Sequence, residues 1–140
     1  MRVRYRELPD ALDAEIRRTV TEWRSFMPGW VDTLIVSYDD TDMTSYASTE
    51  AWWDQRSAKI AFHPMFWSLD ARDRALTLLH EIGHVLMAPL DQCVDTILTQ
   101  RPCKALAEKL WSDACEGYVN DLAALAWRTR EDPPNSGGTS

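Results

Sequence analysis

The chain has 140 residues, 45% of them hydrophobic and seven of them tryptophan: enough for one compact domain with a single core, too few for two, and not the composition of a disordered chain. Fifteen basic against 22 acidic side chains leave a net charge of −7, with no basic stripe of the kind that neutralises phosphates or docks on an anionic bilayer. Nucleic acid and membrane are therefore not expected partners.

The N-terminus, MRVRYRELPDALD, is charged throughout and lacks an apolar h-region, so no signal peptide is expected. The apolar runs are too short to span a bilayer, and the expected location is the cytoplasm. A first amphipathic helix is predicted from residue 10 to about 26, with Leu12, Ile16, Val20 and Trp23 at helical spacing and Pro28-Gly29 as its stop. Residues 33–38 (TLIVSY) read as a buried strand, and 39–42 as a turn. Two extended stretches, 46–53 and 58–63, form a hairpin through residues 54–57, with Ile60 and Phe62 on one face and Lys59, Ala61 and His63 on the other.

The clearest helix runs from Asp70, its N-cap, to about Met87, ended by Ala88-Pro89. Residues 89–103 read as a loop or short helix. A second long helix is predicted over residues 104–128, with Trp111, Cys115, Tyr118, Leu122 and Leu125 as its apolar stripe. The expected organisation is a single α+β domain over residues 1–128, with three strands, followed by a disordered tail over residues 129–140. Cys93, Cys103 and Cys115 are odd in number and form no CxxC, so reduced thiols are expected, with a Cys93–Cys103 bridge as the alternative.

Within the clearest helix stands His80-Glu81-Ile82-Gly83-His84. Residues four apart share a helix face about 6 Å apart, so both imidazoles can reach one metal ion. Glu81, about 100° round the helix, can lean over a water held there, which is how a zinc hydrolase is built. With 3 histidines in 140 residues, a chance HExxH has a probability of roughly four in a thousand. The competing reading is two ordinary polar positions beside an apolar face. Gly83 favours the metal, because a mid-helix glycine costs roughly 1 kcal/mol against alanine and makes sense where another element packs closely.

A catalytic zinc takes three protein ligands and a water. On the second long helix Glu116 shares a polar strip with Ser112, Asp113 and Asn120, and it is the first candidate for the third ligand. Asn120 or Asp113, each about one turn away, could hold the far ring nitrogen of a ligand histidine. Asp91 and Asp95 are rivals to Glu116, with Asp121 and Glu108 behind them. The competing reading of Glu116 is a solvated side chain.

His80, Glu81, His84 and, one helix on, Glu116 within Glu116-Gly117-Tyr118-Val119-Asn120 resemble the gluzincins, zinc metallopeptidases whose HExxH is completed by a glutamate on a following helix. The size is similar to the minigluzincins and to the small zincin-like metallopeptidases of phages and mobile elements. The resemblance covers roughly residues 33–128. Larger gluzincins carry aspartate at the position of Asn120, and no histidine follows His84, so the metzincin pattern is absent. The resemblance implies Zn²⁺ as cofactor and a peptide or protein as substrate. It also implies an edge strand before the motif helix that pairs with extended substrate, matched to residues 58–63. His63 could then reach the cleft and stabilise an oxyanion, or be a strand-end histidine without a role. Tyr118 could donate to the tetrahedral intermediate, or belong to the core. Trp52-Trp53 and Trp67 could line a substrate wall, or be core. The expected activity is peptide hydrolysis with Glu81 as the base, narrow or weak, with a protein partner presenting substrate. The alternative is a non-catalytic zinc-binding domain that serves as a protein-interaction module.

Overall fold

The computed structural model describes residues 1–98 and 104–131. Its elements are β1 (Arg2–Arg6), α1 (Asp10–Trp23), β2 (Thr33–Tyr38), β3 (Ala47–Trp52), β4 (Ser57–Phe62), α2 (Ala71–Leu98) and α3 (Lys104–Glu131), with short 3₁₀ turns at Arg24–Phe26 and Pro64–Ser68. The sheet order is β1-β2-β4-β3; β1 and β4 lie parallel to β2, and β3 antiparallel to β4. The domain is thus α+β, and among the described residues no helix is long and apolar enough to cross a membrane.

Strand alternation puts Leu34, Val36, Ala58, Ile60 and Phe62 on one face, where they form a single core with Ile16, Val20 and Trp23 of α1 and Leu78, Ile82 and Val85 of α2. The opposite face carries Arg4, Ile35, Lys59 and Glu50 at matching register positions. α1 is the crossover that a parallel β1–β2 pair requires. The Asp70 carboxylate accepts from the Asp73 amide at 2.8 Å, capping α2.

Several expectations are corrected. The sheet has a fourth strand, β1, where Val3 and Tyr5 are half-buried between exposed arginines. α1 stops at Trp23, its last residues tightening into 3₁₀. Ala88-Pro89 does not end α2. Proline removes one helical hydrogen bond there, but tertiary contacts hold the next turn: Gln92 Nε2 donates to Ala51 O at 3.2 Å, and Trp111 Nε1 donates to Asp91 Oδ1 at 2.5 Å. On α3 the buried stripe centres on Val119 and Ala123, while Tyr118 and Leu125 are 52% and 55% exposed. α3 also runs three residues into the expected tail, to Glu131; the rest of the tail lies outside the described residues. Cys93 and Cys115 are free thiols; the Cys93–Cys103 alternative lies outside the described residues, because Cys103 does.

Candidate metal centre

The site is made where α2 crosses α3, and Gly83 sets how closely they approach. A Cβ built on Gly83 would fall 2.7 Å from Cγ1 of Val119, and Gly29 and Gly117 meet no such obstacle. Val119 is fully buried. It fills the space a side chain at 83 would need, so the glycine inferred to receive a close neighbour does so through a valine side chain. Seating Val119 there brings its helical neighbours Glu116 and Asn120 over the two histidines.

His84 Nε2 lies 3.0 Å from His80 Nε2 and 3.1 Å from Glu116 Oε1, and His80 Nε2 lies 3.5 Å from Glu116 Oε2. The three side chains each offer one ligand atom within 4.8 Å of the others, and among the described residues no other group of histidine, cysteine or carboxylate side chains does so. His80 Nδ1 lies 2.8 Å from Asn120 Oδ1. A carbonyl oxygen only accepts, so the ring proton sits on Nδ1 and Nε2 turns a bare lone pair towards His84 and Glu116. The histidine side chains are 24% and 32% exposed and Glu116 51%, which leaves the cluster open to solvent on one side.

This donor set suits zinc. Bonds of about 2.0–2.1 Å at the tetrahedral angle put ligand atoms about 3.3 Å apart. The two imidazole nitrogens stand 3.0 Å apart, and Glu116 meets them with a different oxygen each, at 3.1 and 3.5 Å, close to that spacing; a three-ligand set leaves a fourth position for water or substrate.

Glu81 reaches from α2 towards β3 and borders cavities that His84 and His80 also line. It is 7% exposed, and Thr49 on β3 donates to its Oε2 at 2.5 Å. A cavity of about 360 Å³ between β3 and α2 is lined by Ser48, Thr49, Glu81, His84 and Gln92. A second of about 390 Å³ between α2 and α3 is lined by His84, Asp91, Trp111, Cys115 and Glu116. A third of about 310 Å³ holds Tyr46, Ala47, His80, Glu81 and Asn120. The first and second share His84 and Asp91 and the first and third share Glu81, so the three adjoin as a trough beside the cluster. In it, burial pushes the Cys115 thiol pKa up, helped by the carboxylates of Asp91 and Glu116.

The remaining candidates lie elsewhere. Asp113 pairs with Lys109 at 2.9 Å in solvent and holds no histidine. Tyr118 is exposed, two residues and so about 200° round α3 from Glu116. His63 is 2% exposed and does not reach the cleft. Its Nδ1 donates to Asp39 O at 3.1 Å, and its Nε2 accepts from Ser48 Oγ at 3.0 Å, so it pins the loop before β3. Among the rivals to Glu116, Asp91 and Asp95 line the α2–α3 cavity with Glu108, and Asp121 is exposed. Trp67 packs on Phe62 and Phe66, and Trp53 against Trp30; Trp52 lies on the open sheet face. The edge strand beside α2 is β3; β4, assigned that place on sequence, is paired on both sides.

Thr49 is the residue sequence reasoning passed over. Its signal was the alternation Ala47-Ser48-Thr49-Glu50-Ala51, which puts one hydroxyl between two alanines on the face that meets α2. No protein-family model, curated protein or solved structure matches the chain.

Proposed function

We propose that this chain is a zinc-dependent metallopeptidase of gluzincin type, with His80, His84 and Glu116 as the zinc ligands and Glu81 as the general base. The observation that carries the reading is the convergence of two imidazole nitrogens and one carboxylate, from two different helices, at the spacing of a tetrahedral site. Zinc in that position would supply Lewis acidity, acidifying water and polarising a peptide carbonyl. Glu81 takes up the water's proton and delivers it to the leaving amine. Asn120 keeps His80 in the tautomer that offers Nε2. The free edge of β3 runs along the trough and suits an extended peptide. The same proposal sets the chemistry in the cytoplasm, on the odd number and wide spacing of the cysteines.

The test is Glu81→Gln. The variant is expected to keep about one equivalent of zinc and its melting temperature while losing peptide hydrolysis by about two orders of magnitude or more. Retained hydrolysis would overturn Glu81 as the base.

A second reading, a zinc-stabilised interaction module, is favoured by a different observation. Leu86, Leu90 and Ile97 on α2 and Leu106, Leu110 and Tyr118 on α3 are each about half exposed or more, an apolar surface that a partner could cover. Under that reading Glu81→Gln changes neither zinc content nor partner binding, and the parent hydrolyses nothing.

A further inference from the structure

β3 meets α2 with small side chains. Ala47 and Ala51 pack against the core from its inner face, and between them stands Thr49. The Thr49 hydroxyl lies 2.5 Å from Glu81 Oε2 and 3.4 Å from the Glu81 carbonyl oxygen, both of which only accept. An alanine here would pack as well as its neighbours do and leave the carboxylate without this donor. The backbone of Thr49 is placed just as specifically. Tyr46 O accepts from His63 N, and Ala51 O accepts from the Gln92 side chain on α2. In an antiparallel pair the direction alternates, so residues 46, 48, 50 and 52 turn their amides and carbonyls towards β4, and Ala47, Thr49 and Ala51 turn theirs to the open edge.

A general base must present one carboxylate oxygen in a fixed direction, and the last torsion of a glutamate is broad and nearly two-fold. A hydroxyl that holds Oε2 removes that freedom and leaves Oε1 to accept the proton. We propose that Thr49 is the positioning residue of Glu81: its side chain orients the base while its backbone lines the edge of the trough. This deepens the hydrolase reading and rests on Glu81 being its base.

The variants are Thr49→Val, which keeps the shape and removes the hydroxyl, and Thr49→Ser, which keeps the hydroxyl. Crystal structures are expected to show Glu81 held as in the parent in Thr49→Ser, and rotated or spread over several orientations in Thr49→Val. In zinc-loaded protein, kcat on an oligopeptide should fall about 10- to 100-fold in Thr49→Val, the scale of a misplaced catalytic group. KM and zinc content should stay unchanged, the melting temperature should fall by about a few degrees as one buried hydrogen bond is lost, and Thr49→Ser should restore kcat. A Glu81 carboxylate that keeps its place in Thr49→Val overturns the proposal, as does an unchanged kcat. If the parent hydrolyses no peptide, the hydrolase reading fails separately, and the orientation of Glu81 in the two crystal structures still decides whether Thr49 positions it. Should Thr49→Val not fold, Thr49→Ala gives the same comparison.

Discussion

At the scale of single residues, hydrogen bonding decides what each polar side chain can do. His80 is tied through Nδ1 to Asn120 and points its other nitrogen at the cluster, whereas His63 spends both nitrogens on Asp39 and Ser48 and has none left for a ligand. The loop that His63 pins depends on Asp42. The Thr44 amide, then the Ser45 and Thr44 hydroxyls and the Ser45 amide, hold the Asp42 carboxyl far below the usual carboxylate range. A depressed folded-state pKa means that the unfolded chain binds the proton more readily. The stability this residue contributes is therefore present above about pH 4 and is lost as pH falls towards the folded value. Asp42→Asn keeps an acceptor oxygen but does not titrate. Its melting temperature should fall less than the parent's on going from about pH 5 to about pH 3, and an equal fall in both proteins would refute the assignment. How legible these residues were follows from their chemistry. His80, Glu81 and His84 announce themselves because histidine is rare here, and Glu116 because a polar strip flanks an apolar one. Thr49 was hidden, since a threonine in a strand has β propensity as sufficient reason to be there.

At the scale of elements, the α2–α3 crossing is the decisive feature. Two stripes on α3 satisfy helical spacing, one through Tyr118 and Leu125 and one through Val119 and Ala123. What selects between them is the gap left by Gly83 on another helix. No reading of α3 alone could make that choice. Gly83→Ala tests it. Alanine gains up to about 1 kcal/mol of helix propensity, but its methyl group would collide with Val119, and overpacking costs about 1–3 kcal/mol. The expected outcome is displacement of α3 and a loss of zinc affinity on the order of tenfold, one step of 1.4 kcal/mol. Val119→Ala in the same chain should recover most of the loss, because it removes the colliding atom. Undiminished zinc binding in Gly83→Ala would show that the crossing does not set the site. Pro89 teaches the same lesson: a local stop signal is overridden once Gln92 and Asp91 reach β3 and α3.

At the scale of the whole molecule, a four-stranded sheet covered by helices on one face lays α2 along its edge strand β3, with α3 packed on α2. Much of this was visible in the alternation of β2 and β4 and in the periodicity of α1 and α2. β1 was not, because Arg2, Arg4 and Arg6 mask the half-buried Val3 and Tyr5, and charge on an edge strand is how sheets resist further pairing. The two-layer arrangement gathers His80, His84 and Glu116 from α2 and α3, while Thr49 on the sheet holds Glu81. The most direct measurement of that claim is X-ray absorption at the zinc edge, with metal content, on tag-free protein and on Glu116→Ala. The account predicts about one zinc per chain with two imidazoles and a carboxylate oxygen among its ligands, and at least about tenfold weaker binding without Glu116. Protein that takes up no zinc, or zinc held as tightly and by the same ligands after Glu116→Ala, would contradict it.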